Sequence, residues 1–146
     1  MPPELRCGFT TGAAMAAGAL AVFLQRRGSV TLILPGGELE IPVESCTADT
    51  AVVRKDAGDD PHVTDGAHIE TQFRRADRME LLPEDHCEES GGLCVIVRGG
   101  GGVGMVTRPG LAVPVGKCAV NPGPRRLLMD NLIRAGASGV WLLRGA

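Results

Sequence analysis

Thr10-Thr11-Gly12-Ala13-Ala14-Met15-Ala16-Ala17-Gly18-Ala19-Leu20-Ala21-Val22-Phe23-Leu24 is the stretch whose reading decides the fold. It reads as one helix. A threonine supplies the N-cap oxygen and alanine has the highest helix propensity. Arg26 and Arg27 suit the negative end of the dipole, and Gly28 is placed to end the helix. Small side chains let such a helix lie close on a sheet. The apolar run falls well short of the ~20 residues that a membrane-spanning helix needs. Gln25-Arg26-Arg27 is also the wrong chemistry for a signal-peptide cleavage site, so a soluble, cytoplasmic protein is expected.

Outward from the helix, the pattern turns to short strands. Val30 to Leu34 and Leu39 to Val43 flank Pro35-Gly36-Gly37, a hairpin signal. Ala51 to Lys55 continues the β pattern, and Ala67 to Phe73 alternates with period two, which turns His68, Glu70 and Gln72 away from the core. The acidic stretch Arg74 to Gly92 reads as a loop, with His86 and Cys87 as ordinary surface residues. Leu93 to Val97 reads as a buried strand, Met105 to Thr107 and Leu111 to Val115 as further short ones, and Val140 to Leu143 as the last. Pro124 suits the first position of a second helix, with Leu127, Leu128, Leu132 and Ile133 on one face before Gly136. The expected architecture is α+β: a mixed sheet of short strands with two helices packed on one face, a two-layer sandwich forming one domain over residues 1–146.

Composition narrows the function. The chain has 146 residues, with 15 Lys and Arg against 17 Asp and Glu, a net charge of −2. That balance leaves no electrostatic footprint for nucleic acid, and three Phe, one Trp and no Tyr leave little for bases to stack on. Five cysteines without a CxxC pair suit a reducing compartment better than a disulfide framework.

Three segments concentrate chemistry. Gly99-Gly100-Gly101-Gly102-Val103-Gly104 satisfies the letters of a dinucleotide fingerprint. Such a site needs a helix to begin there, however, and Met105 to Gly110 reads as a strand and a turn. What remains is a bare glycine loop: either a plain turn, or a place where backbone amides approach a ligand. Lys55 to Gly66 packs Asp56, Asp59, Asp60 and Asp65 beside Lys55 and His62. Pro61 stands where an EF-hand loop needs glycine, and His62 and His68 lack thiolates at zinc spacing, so no metal site is expected. The cluster is either a turn rich in Asx caps or a set of carboxylates that raise one another's pKa and leave one as a base. Asn121-Pro122-Gly123-Pro124-Arg125 is a rigid entry into a helix, which either stiffens the helix start or presents Arg125 to a carboxylate.

Four stretches, in this order, resemble the CbiD family of cobalamin biosynthesis, the cobalt-precorrin-5B C-methyltransferases of the anaerobic route. They are Arg6-Cys7-Gly8-Phe9-Thr10-Thr11-Gly12, Lys55 to Pro61, Gly99 to Leu111 with Val-Thr-Arg-Pro-Gly-Leu, and Asn121 to Arg125. The resemblance covers about the first 130 residues, and family members are much longer. His62 stands where the family has Asp.

The resemblance implies methyl transfer from S-adenosylmethionine to a carbon of cobalt-precorrin-5B, giving cobalt-precorrin-6A. The corrinoid carries many carboxylates, so Lys55, Arg108, Lys117 and Arg125 are expected to bind it, with Thr10, Thr11, Gly101, Gly102 and Asn121 lining the pocket. Asp56, Asp59 or Asp60 is the expected base, and Asp56 and Asp59 are expected to share a cleft with Arg108 and Arg125. As the chain resembles only an N-terminal part of the family, it is expected to pair with a C-terminal half or with itself, and not to turn over alone. The competing expectation is a non-catalytic fragment that binds a tetrapyrrole or pairs with a missing second half.

Overall fold

A computed structural model describes residues 11–54, 68–99 and 122–145. Helix α1 spans Thr11–Leu24, and the hairpin β1 (Gly28–Leu34) and β2 (Gly37–Val43) follows it. Then come β3 (Ser45–Cys46), β4 (Thr50–Arg54), β5 (His68–Arg75), a short 3-10 turn at Arg78–Glu80, β6 (His86–Ser90) and β7 (Leu93–Gly99). Helix α2 (Pro122–Arg134) and β8 (Gly139–Gly145) complete the described chain. The larger sheet has the order β3-β4-β5-β8-β7-β6, antiparallel except for the parallel pair β7–β8. Both helices lie on one face of it, α1 over β4 and β5 and α2 over β6 and β7, as the α+β reading expects.

Helix α1 is buried at every position from Ala13 to Val22, which explains why its apolar residues form no stripe. A helix that is apolar all round must be covered all round. The sheet covers one side, α2 a second, and the β1–β2 hairpin a third, placing Val30, Leu32, Ile41 and Val43 in the same cluster. Close approach needs small residues: a Cβ on Gly18 would sit 2.7 Å from the Thr71 hydroxyl oxygen and 2.8 Å from its Cβ. At the far end of α1, Trp141 stacks on Phe73 at 4.7 Å, meets the edge of Phe23 at 5.7 Å and carries the Arg75 guanidinium on its ring at 4.6 Å.

Several expectations are corrected. Gln25 ends α1, not Gly28: it takes the left-handed conformation with φ 52°, and its amide donates to the carbonyls of Val22, Thr47 and Ala48. Helix α2 begins at Pro122, so Pro124 lies inside its first turn, where N–H groups have no intrahelical acceptor and proline removes nothing. On α2 the buried face holds Leu128, Met129, Asn131 and Leu132, while Ile133 is exposed and Leu127 half-buried.

The stretch Arg74 to Gly92 is not a loop. β5 runs on to Arg75, Asp77 caps the 3-10 turn in a capping box with Glu80, and His86–Ser90 pairs with β7 as an edge strand among the described residues. His86 is buried rather than on the surface. The polar composition of β6 reflects its edge position, since only its inner edge must bond to a neighbour.

Candidate functional site

The sheet register decides where the motif-bearing segments leave the fold. Gly145, the last residue of β8, lies opposite Gly99, the last of β7, and opposite Thr71 of β5. β5 runs the other way, so its start at His68 lies at this same end, paired with Arg54 at the end of β4. Both helices begin there as well. A Cβ on Gly145 would meet the Met15 side chain near the start of α1, and a Cβ on Gly12 would lie 2.5 Å from Cβ of Pro124 at the start of α2. One end of the domain therefore gathers two helix N-termini, the carboxyl ends of the parallel pair, and the flanks of residues 55–67 and 100–121.

Gly12 and Pro124 belong to two different motifs, and they touch. Any side chain at residue 12 would collide with the proline ring, so glycine is what lets the two helix starts meet. Between them lies a narrow apolar cleft lined by Gly12, Met15, Ala16, Val97, Pro124, Arg125 and Leu128. Both helices begin beside it, so the positive ends of two helix dipoles lie at this end of the fold, which favours anionic groups there.

Of the expected site residues, the structure describes the side chain of Arg125 alone. Its guanidinium donates to the Glu88 carboxylate on β6, and only 13% of its side chain is exposed. Glu88 is a site residue that the sequence reading missed, because the acidic stretch was read as a loop. The available signal was the offset between Cys87, Glu88 and Glu89, which turns Glu88 alone toward the helices. Thr11 opens α1 as its first residue. Thr10, Lys55, Asp56, Asp59, Asp60, Gly101, Gly102, Arg108, Lys117 and Asn121 lie outside the described residues. So do the cleft expected to join Asp56 and Asp59 to Arg108, the strands expected after the glycine run, and the expectation that no helix begins within it.

Two devices brace this end. Arg98, next to the last residue of β7, donates through Nε (3.1 Å) and Nη2 (2.9 Å) to Asp85, whose side chain is fully buried. That paired carboxylate raises the arginine pKa further. The second Arg98 bond from Nη2, at 2.8 Å to the Glu80 carbonyl, ties β7 to the 3-10 turn. Behind it, the Arg74 guanidinium and the Asp77 backbone N–H hold the Glu80 carboxyl below its usual range. At the opposite edge His68 Nε2 lies 2.8 Å from Glu44. Among the described residues no group of three or more His, Cys, Asp and Glu is placed to hold a metal ion, and no helix is long and apolar enough to cross a membrane.

Comparison with known proteins bears out the family resemblance. A family model described as CbiD matches residues 1–140. A cobalt-precorrin-5B C(1)-methyltransferase from Moorella thermoacetica is 43% identical over 139 residues, covering 89% of this chain and 34% of that protein. One from Treponema denticola is 34% identical over 150 residues, covering 93% of this chain and 38% of that protein. The crystal structure of a cobalamin biosynthesis protein (CbiD) from Archaeoglobus fulgidus superposes with a TM-score of 0.65 at 27% identity, over 97% of this chain and 44% of that one. The chain thus spans about a third of the length of the curated relatives it matches.

Proposed function

The chain belongs to the CbiD family, and on that premise we propose that it is the corrinoid-binding part of a methyltransferase acting in cobalamin biosynthesis. The reaction in this reading is C-methylation of cobalt-precorrin-5B with S-adenosylmethionine as donor. One observation carries it: Gly12 and Pro124, from two separate family-like motifs, are in contact where both helices begin. Segments far apart in sequence meet there, and the flanks of the other two motifs end at the same place.

The chemistry follows from charge. A corrinoid intermediate presents acetate and propionate carboxylates, which suit helix N-terminal amides and positive dipole ends. Arg125 adds a guanidinium fixed at the mouth of the cleft, and in this reading a substrate carboxylate competes with Glu88 for it. Lys55, Arg108 and Lys117 are the further cations in this assignment, with Thr10, Thr11, Gly101, Gly102 and Asn121 around the ring. Methyl transfer demands in-line alignment more than covalent help, so rigid positioning is the main contribution of this part. One carboxylate among Asp56, Asp59 and Asp60 takes the proton lost from the corrinoid.

S-adenosylmethionine supplies an activated methyl on a sulfonium cation. Two positive dipole ends fit a polycarboxylate and disfavour a sulfonium, so the described residues fit the corrinoid better than the reacting end of the donor. We therefore assign the donor chiefly to the part of the family protein that this chain does not span. The cytoplasm is the compartment of this reading.

The test uses the whole chain, cobalt-precorrin-5B and S-adenosylmethionine, with and without the remaining two thirds of a family member supplied in trans. The expected result is a corrinoid absorbance shift with the chain alone and methylated product only when the remainder is added. No corrinoid binding would overturn the assignment of substrate. Steady turnover by the chain alone would overturn the division of labour. Corrinoid binding with no product in either mixture would support a non-catalytic binding role instead.

A further inference from the structure

Cys87 and Cys94 lie on the β6–β7 hairpin with their sulfurs 3.5 Å apart, both as free thiols. The register explains the approach. Cys87 stands opposite Ile96 and Cys94 opposite Glu89, so the two cysteines are diagonal neighbours on one face of the antiparallel pair. That face points away from the helices, since Leu93, Val95 and Val97 of β7 fill the helix-side core. Cys87 is exposed and Cys94 is 2% exposed, so a solvent-borne reagent reaches the first and not the second. The hairpin turns at Gly91 and Gly92, both with positive φ, which sets the two strands in this register.

We propose that Cys87 and Cys94 form a dithiol site that small-molecule disulfides oxidise to an intramolecular disulfide. The Cys87 thiolate attacks one sulfur of the reagent, forming a mixed disulfide and expelling one thiolate, which takes up the proton that Cys87 gave. The Cys94 thiolate then attacks the Cys87 sulfur, expels the second reagent thiolate and passes its proton to it. The protein loses two electrons and two protons, and the reagent becomes two thiols. Closure brings the sulfurs from 3.5 Å to a bond of about 2.05 Å. Among the described residues β6 pairs with β7 alone, and the closure moves the two sulfurs of this one hairpin.

Two consequences follow. Partial desolvation against the sheet pushes the exposed Cys87 thiol up to about 11, and the hydrogen bond to Cys94 and the charge of Glu89 act in the same direction, against Arg78. The first step is therefore slow at neutral pH and speeds up about tenfold per pH unit toward that value, as the thiolate fraction grows. The site also adjoins Glu88, which faces the other side of the sheet and holds Arg125, so oxidation falls on the strand that anchors the start of α2.

The test incubates the full chain with oxidised and reduced glutathione in varied ratio, alkylates the remaining thiols, digests with trypsin and weighs the peptides. Both cysteines fall in the single peptide Met79–Arg98. The expected product is that peptide two hydrogens lighter and unalkylated, at an equilibrium disulfide-to-dithiol ratio at least about tenfold higher in native than in urea-unfolded chain, because the fold holds the thiols together. Cys94→Ser is expected to halt at a stable mixed disulfide on Cys87. A wild-type mixed disulfide that persists with Cys94 alkylated, a bridge to Cys7, Cys46 or Cys118, or equal yields from native and unfolded chain would each overturn the proposal.

Discussion

Asn131 offers the sharpest test of how the hairpin and helices are joined. It lies on the buried face of α2 at 4% exposure, and its side chain treats β1 as a strand partner would. Oδ1 accepts the Ile33 N–H at 2.8 Å, while Nδ2 donates to the Ile33 carbonyl at 3.1 Å and to the Leu127 carbonyl at 3.0 Å. Asn131→Ala removes the amide and strands both backbone groups of Ile33. Each lost bond is worth about 1 kcal/mol net, and each stranded group costs about 1–3 kcal/mol where water is excluded. Ile33 is only partly buried, so water recovers some of this, and the expected loss is roughly 2–4 kcal/mol. For 146 residues that lowers Tm by roughly 6–12 °C.

Asn131→Asp separates this account from a simple cavity. The new carboxylate faces the Ile33 carbonyl without a proton to donate, so its folded pKa rises above the unfolded ~3.9. A raised folded pKa means that the stabilising interaction is present in full below the unfolded value and is lost as pH rises through the folded one. The penalty relative to wild type is therefore large at pH 7 and shrinks toward pH 4. Urea unfolding followed by circular dichroism measures both variants. A loss below about 0.5 kcal/mol for Asn131→Ala, or a pH-independent penalty for Asn131→Asp, would refute the strand-mimic role.

Gly12→Ala is expected to destabilise by about 1–3 kcal/mol in thermal melts despite the better helix propensity, because its Cβ would sit 2.5 Å from that of Pro124; an unchanged or raised Tm would count against the contact. Thr71→Val is expected to stabilise by about 1 kcal/mol, since the Thr71 hydroxyl is buried with no hydrogen-bond partner among the described residues; a loss of stability in denaturant unfolding would contradict this. Glu80 has a lowered folded pKa, so its contribution is present above the ordinary glutamate value and disappears as pH falls through the folded one. Glu80→Gln should then lower Tm at pH 7, with a deficit that shrinks as pH falls below the usual glutamate range, and a deficit independent of pH would exclude the ion pair as the cause. Glu88→Gln is expected to tighten corrinoid binding several-fold by removing a carboxylate that competes for Arg125, and Arg125→Met to weaken it; titration by absorbance that moves neither would remove Arg125 from the substrate site.

How much of this was legible in sequence varies with the range of the interaction. Local signals carried the α1 helix, the β1–β2 hairpin and the alternation of β5, where His68 and Glu70 are exposed and Ile69 and Thr71 buried. β6 escaped because an edge strand need not alternate, and its residues answer to partners elsewhere: Glu88 to Arg125, Glu89 to Arg78, Cys87 to Cys94. Asn131 interrupts an apolar helix face, but only the nearness of Ile33 makes the amide useful there. The covering of α1 by a separate hairpin likewise depends on where β1 and β2 come to rest. The candidate site was legible as a set of motifs and not as a place, because Arg125 is the one assigned side chain that the described residues show.

The place emerges from topology. β7 and β8 are parallel neighbours, so the chain must return between them from the carboxyl end of β7 to the start of β8, and α2 makes that return on one sheet face. Parallel strands always need such a crossover, and it puts the helix N-terminus beside the strand's carboxyl end. Residues 100–121, with the glycine run at one border and the Asn121–Arg125 motif at the other, are therefore attached at both borders to the same end of the sheet. Residues 55–67 attach there too, because Arg54 and His68 are register partners. α1 starts at this end because Gly12 admits the Pro124 ring. A single bulky residue at position 12 would separate the first motif from the last, while leaving every local signal in the sequence as it was.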